Sequence, residues 1–175
     1  MFPILETDRL TLRELTDTDV YDIFACLSNK EVTRFYGSEP LNSIKEAEEL
    51  VEFFKKNYNG ERGLRWGIER KGTKGIIGTI GYHAWSQKHK RAEIGYEIHP
   101  EYWRKGYTSE AISKVISFGF DTMGLTRIGA IVFLENEASN KLLEKVGFQK
   151  EGILRGYIYQ QGKAYDTNVY SLLKR

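Results

Sequence analysis

Apolar and polar positions along this chain recur with two alternating periods, and the switches between them mark its elements. Arg9-Leu10-Thr11-Leu12-Arg13 alternates every second residue, the pattern of a half-buried strand. Thr16, with Asp19 three residues on, resembles a capping box, and Val20, Ile23, Phe24 and Leu27 then repeat at helical spacing. A second amphipathic helix is predicted from Ser43, with Glu46 three residues later, through Ala47, Leu50, Val51, Phe54 and Tyr58 to a stop at Gly60. Period two returns at Leu64-Trp66-Ile68 and continues through Ile76–Trp85 and Arg91–Ile98, with polar turns at 71–75 and 86–90. Such short turns predict an antiparallel meander. In its third strand Ala92, Ile94, Tyr96 and Ile98 share one face, while Glu93, Gly95 and Glu97 share the other.

Beyond Pro100 the rhythm turns helical from about Tyr107 to Thr122, ending at Gly124. Ile128–Leu134 is apolar on both faces, as a covered inner strand is. Asn136 is placed to cap a helix running to Val146, and Gly147 stops it. Ile153–Tyr159 and Lys163–Leu173, around Gln160-Gln161-Gly162, read as a closing hairpin. The passage from Arg91 to Leu134 is long enough for a parallel crossover. The expectation is an α/β (α+β) fold with a mixed sheet: an antiparallel meander first, then a parallel pair.

Composition narrows the function classes. A chain of 175 residues with no repeat and no Pro/Ser-rich linker is expected to be one domain spanning 1–175. No apolar run exceeds five residues (Ala130–Leu134 is one), and Met1–Leu10 lacks the regions of a signal peptide, so a cytoplasmic protein without a membrane span is expected. The single cysteine, Cys26, excludes an internal disulfide and reads as core. Three scattered histidines show no ligand spacing, so no metal site is expected. A net charge of +2 gives no sign of nucleic acid as a partner. Monomer and homodimer are both compatible with the chain.

The chemistry concentrates in Trp103-Arg104-Lys105-Gly106-Tyr107-Thr108-Ser109-Glu110. A glycine-containing loop here enters a helix N-terminus, where free N–H groups and the positive dipole end favour an anion, and Arg104 and Lys105 add charge. The same residues also suit an ordinary basic turn with Thr108 or Ser109 as the cap. It is not a P-loop, because the GK[ST] ending is absent.

The stretch from Arg91 through Gly106 to Ala111 closely resembles the acetyl-CoA-binding core of GNAT N-acetyltransferases, and so does Glu135–Phe148. With the Leu10-Thr11-Leu12-Arg13 opening and the Gly152-to-Leu173 ending, the chain resembles the branch that holds ribosomal-protein alanine/serine N-terminal acetyltransferases and spermidine acetyltransferases. The resemblance implies the GNAT fold: a mixed central sheet with an antiparallel N-terminal meander, a splayed parallel strand pair and helices on both faces. It implies acetyl-CoA as co-substrate, with its pyrophosphate wrapped by the main chain of Arg104, Lys105, Gly106, Tyr107, Thr108 and Ser109. Trp103 and Thr108 depart from the family's usual residues at the two ends of the loop, which main-chain binding tolerates. The pantetheine arm is expected to pair along Tyr96–Ile98 and to meet Asn136, which can serve as a helix cap as well. The implied acceptor is a primary amine, either a protein N-terminus of the ribosomal-protein kind or a small amine such as a polyamine. A CoA-binding or RNA-associated module without catalysis is the alternative from another class.

Acetyl transfer to an amine needs a neutral nucleophile and a tolerable leaving group. Glu93 aligns with a general-base position of some members, provided partial burial raises its pKa toward neutrality; Glu97 and His83 are lesser candidates, and a solvated or ion-paired strand residue is the plain alternative. Many members carry an acid tyrosine where this chain has Leu143. Ser139 matches a serine given that role in the ribosomal-protein branch, and a tyrosine installed at 143 is then expected to restore part of what Ser139→Ala removes. Tyr157, Tyr159, Tyr165 and Tyr170 of the last hairpin read as packing and edge residues. The acceptor cleft is expected to fall to Asn29–Asn42 and that hairpin.

Overall fold

A computed structural model describes residues 1–175. Eight strands form one mixed sheet: β1 (Leu5–Glu6), β2 (Leu10–Glu14), β3 (Leu64–Arg70), β4 (Ile76–Ser86), β5 (Arg91–Ile98), β6 (Arg127–Phe133), β7 (Gln149–Gln160) and β8 (Lys163–Leu173). The helices are α1 (Val20–Leu27), α2 (Lys30–Thr33), α3 (Ile44–Asn59), α4 (Tyr107–Asp121) and α5 (Glu137–Lys145). The strand order is β1-β2-β3-β4-β5-β6-β8-β7, antiparallel throughout except for β5 against β6. No helix is long and apolar enough to cross a membrane.

Period-two patterning sorts the strand residues onto two faces. Leu64, Trp66, Ile68, Ile80, Tyr82, Ala92, Ile94 and Ile98 join Ala111, Ile112 and Val115 of α4 in the larger core. On the opposite face α1 and α3 bury Val20, Ile23, Leu27, Ala47 and Val51 in a second cluster. Ser43 Oγ accepts the Glu46 N–H, which gives α3 the predicted start, and the Asp19 carboxylate accepts the Thr16 N–H ahead of α1.

The structure adds or moves a few elements. The two-residue β1 and the four-residue α2 are too short to show a period. β7 begins at Gln149, four residues before the predicted hairpin arm, because β-bulges shift its register against β8 and break the alternation. The cap of α4 is Gly106, with φ +80°, and neither Thr108 nor Ser109.

Candidate active site

The turn into α4 is built for close approach by an anion. Gly106 and, without a glycine's freedom, Arg104 (φ +59°) both take left-handed backbone. The first bond of the helix runs from the Glu110 N–H to Gly106 O, and the Tyr107, Thr108 and Ser109 N–H groups donate to no protein acceptor. Ser109 instead turns its hydroxyl to Gly106 O at 3.1 Å. A Cβ on Gly106 would come within 3.2 Å of Arg9. Arg9 holds the turn in place: its guanidinium donates to Lys105 O (2.9 Å) and to Glu110 Oε2 (2.7 Å), and it stacks on the Tyr107 ring. Trp103 Nε1 donates to Ile98 O at 2.7 Å, so the unusual tryptophan ties the loop to the end of β5. Exposed Arg104 and Lys105 flank free N–H groups at a positive helix end, and this set fits a pyrophosphate.

Next to this turn the sheet opens. β5 and β6 pair only over Arg91–Glu93 against Arg127–Gly129; beyond that β6 stays with β8 and β5 with β4. The β5 edge past Glu93 therefore faces a gap, and its extended backbone fits an amide-bearing arm as an added strand. The Ile98 carbonyl already accepts from Trp103, which narrows the open run to the residues before it. Across the gap Asn136 caps α5, its Oδ1 accepting the Ser139 N–H at 3.3 Å. Ser139 is half-buried, and its Oγ lies 2.6 Å from the Tyr96 hydroxyl. Burial pushes the Tyr96 phenol up to about 12 against the opposing bond to Ser139. Leu143, one turn further on, is fully buried.

The other face of β5 carries the titratable groups. Cross-strand register places His83 opposite Glu93, and Thr79 opposite Glu97. His83 Nε2 lies 3.2 Å from Glu93 Oε2. That bond, ahead of an opposing burial effect, holds the Glu93 carboxyl below the usual range, aided by Arg91 and Arg127. The proviso that burial would raise Glu93 is therefore not met: the imidazole outweighs the burial. Glu93 also lies against Gly129 of β6, where the two strands diverge. Glu97 is buried and bonded to both Arg65 and Thr79, with the Tyr36 hydroxyl against it. Burial pushes the Glu97 carboxyl up, while Arg65 and the two hydroxyls oppose that. Between the two pairs Gly95, lacking a side chain, lets Arg65 Nη1 and the edge of the His83 ring come within 3.3–3.6 Å of the point where a Cβ would begin.

The segments expected to wall the cleft do meet. Gln160, at the tip of the hairpin, donates to Thr33 O (2.8 Å) and accepts the Gly37 N–H (3.1 Å). Phe133 packs on both Phe35 and Tyr165. Of the hairpin tyrosines, Tyr157 and Tyr159 are exposed, and Tyr170 is buried with its hydroxyl on Asn140 Oδ1. Cys26, on the inner face of α1, is buried. Sequence reading missed the Arg9–Glu110 clamp, the His83–Glu93 bond and the Tyr96–Ser139 bond. Of these residues His83, Glu93, Tyr96 and Ser139 could be singled out along the chain, but not as partners of one another.

Such a splayed sheet with a glycine turn into a helix defines an acyl-CoA-dependent transferase. A family model described as an acetyltransferase (GNAT) domain matches residues 9–149. The chain is 64% identical over 174 residues to "Uncharacterized N-acetyltransferase YoaA" of Bacillus subtilis, covering 99% of this chain and 98% of that one. It is 28% identical over 179 residues to YdaF of the same organism, named provisionally as a ribosomal N-acetyltransferase, covering 100% and 97%. A solved spermidine N-acetyltransferase from Vibrio cholerae, in complex with CoA and spermine, superposes with a TM-score of 0.84 at 27% identity, covering 95% and 96%. The chain belongs to the GNAT acetyltransferase family. It is an N-acetyltransferase whose acetyl donor is acetyl-CoA.

Proposed function

We propose that the acceptor is the α-amine of a peptide or protein N-terminus, of the ribosomal-protein kind. Residues 1–175 then carry the reaction as one domain in the cytoplasm, as a monomer or homodimer. The observation that carries this reading is that the carboxylates flanking Gly95 already have partners within the protein: buried Glu97 is paired with Arg65, and Glu93 has His83 Nε2 3.2 Å away. A polyamine, with several charges, calls for unpaired carboxylates; an α-amine does not. An α-amine of pKa about 7.7–8.0 is also partly neutral near pH 7, so a base as modest as this one suffices, whereas an alkylamine near 10.4 demands more. The name of YdaF supports the same acceptor.

In this reading the N–H groups from Arg104 to Ser109, with Gly106 central and Tyr107 and Thr108 between, hold the pyrophosphate. The Tyr96–Ile98 edge and Asn136 hold the arm. Bound acetyl-CoA supplies the acetyl group as a thioester. Glu93, with His83 beside it, stands on the proton-accepting side of β5. Ser139, backed by Tyr96, offers a hydroxyl to the sulfur side. A thiol near 8.5 leaves well enough for that hydroxyl to matter only modestly.

A polyamine acceptor is the second reading, favoured by the likeness to the spermidine enzyme. Acetyl-CoA turnover followed with a thiol-trapping reagent separates the two. Peptides with free N-terminal serine or alanine are expected to be acetylated in preference to spermidine and aminoglycosides. Turnover with spermidine alone overturns the proposal.

A further inference from the structure

We infer that Arg9 is a ligand of the CoA pyrophosphate, its Nη2 group adding a charged side-chain donor to the main-chain N–H groups of the turn into α4. The inference rests on the placement of the pyrophosphate at that turn and is independent of the acceptor. Arg9 stands at the entrance to β2, outside the glycine loop, and reaches that loop only through the fold. Its main chain is pinned on both sides: the carbonyl accepts the Lys71 N–H, and its own N–H donates to Glu110 Oε1. Its guanidinium is held by three contacts. Nε donates to Glu110 Oε2, Nη1 donates to Lys105 O, and Cζ lies 4.5 Å from the centroid of the Tyr107 ring. Nη2 is left over, donating to no acceptor in the protein. It lies 3.2 Å from the point where a side chain on Gly106 would begin and, apart from the residues next to that glycine, is the only atom within 4 Å of it. The space beside the glycine is therefore open, with a guanidinium nitrogen on its border. Nearly half of the Arg9 side chain (47%) is exposed, so an anion reaches it from solvent.

The charges around the turn give Arg9 this part. Glu110 sits in the first turn of α4, where a carboxylate repels an arriving phosphate. Burial alone would raise its pKa, but bonds from the Thr7 hydroxyl and from the Arg9 N–H and guanidinium win and hold it below the usual range. Arg9 thus cancels the one negative charge at the turn and keeps a free donor for the ligand. The two cations of the loop are not fixed in this way. Arg104 is exposed, and Lys105 carries its Nζ over the Tyr102 ring, 5.4 Å from the centroid. A guanidinium already locked by two bonds and an aromatic plane loses little freedom on taking a phosphate, whereas a solvated side chain has to be ordered first.

Calorimetric titration with CoA reads this contact without turnover. Arg9→Gln is expected to weaken CoA binding about tenfold, the low end for a hydrogen bond to a charged group, because the arginine is half exposed. Glu110→Gln separates the contact from the clamp. On that background no carboxylate remains to be neutralised, and Arg9→Gln is expected to cost the same factor again. The comparison of Glu110→Gln with the double variant holds even where Arg9→Gln alone fails to fold, since the double variant strands no charge. CoA affinity unchanged by Arg9→Gln, or a loss that vanishes on the Glu110→Gln background, overturns the inference and leaves Arg9 a clamp only. Gly106→Val tells the two failures apart. Undiminished CoA binding there overturns the placement of the pyrophosphate and this inference with it, whereas binding lost at Gly106 and kept at Arg9 overturns this inference alone.

Discussion

The Tyr96 hydroxyl lies 2.6 Å from Ser139 Oγ, so a residue of β5 and a residue of α5 are joined across the gap where β5 and β6 part. Neither hydroxyl is an isolated acid. Burial raises the phenol, which therefore keeps its proton and serves as a hydrogen-bond donor at neutral pH.

Ser139→Ala is expected to lower single-turnover acetylation by about tenfold, at the lower reach of general-acid effects. Tyr96→Phe is expected to do much the same. The double variant is expected to be scarcely slower than either single one, because two groups acting as a unit are lost only once. Additive losses would show that the two hydroxyls act separately.

Leu143→Tyr is not expected to rescue Ser139→Ala, contrary to the expectation drawn from the family's tyrosine. Leu143 is fully buried in the larger core, so a phenol there overpacks it. A loss of about 1–3 kcal/mol in denaturant unfolding is expected, with no gain in turnover.

CoA at about 100 times its dissociation constant is expected to stabilise the protein by roughly 2.7 kcal/mol, readable as a raised melting temperature. Gly106→Val is expected to abolish that shift. Its backbone sits at φ +80°, which a β-branched residue resists, and its Cβ would crowd Arg9 at 3.2 Å and narrow the approach to the free N–H groups.

Asp19 is expected to make stability fall in acid. Burial alone would raise its pKa, but bonds from Arg13 and the Thr16 backbone win and hold it below its unfolded value. Its stabilisation is therefore fully present above the unfolded pKa of about 3.9 and is lost as pH falls through the lower folded value. Asp19→Asn is expected to cost about 1.5–3 kcal/mol at pH 7, because Arg13 keeps Glu69 but loses its charged bonds to Asp19. The cost is expected to shrink toward pH 2, as seen by denaturant unfolding of both proteins across that range.

Much of the site's frame was legible because its signals are local. A helix start is decided within four residues, so Ser43 with Glu46, Asn136 with Ser139 and the glycine before α4 could be read in place. Strand faces follow from a period of two, and Glu93, Gly95 and Glu97 were correctly put on one side. Of the two readings of the turn before α4, the alternative with Thr108 or Ser109 as the cap is the one that does not hold. Ser and Thr are the usual choice, but the chain bends into the helix through a left-handed residue that favours glycine.

The sequence by itself determined most of the elements, the glycine turn into α4 and the alternation that sorts strand residues onto two faces. Each depends on backbone geometry and residues a few positions apart. Only the tertiary structure decided which polar groups became partners. Arg9 reaches Glu110 across 101 positions, Arg65 reaches Glu97 across 32, and Tyr96 reaches Ser139 across 43. His83 meets Glu93 because a bend in β4 and the turn after it set that register, and a slip of one residue would send His83 to the opposite face. Likewise, Glu97 and Glu93 share one face and one residue type, yet one is buried against Arg65, Thr79 and Tyr36 and the other left against Gly129 where the strands diverge. Burial and charge pairing arise from how the layers pack, and a pattern read along one strand carries neither.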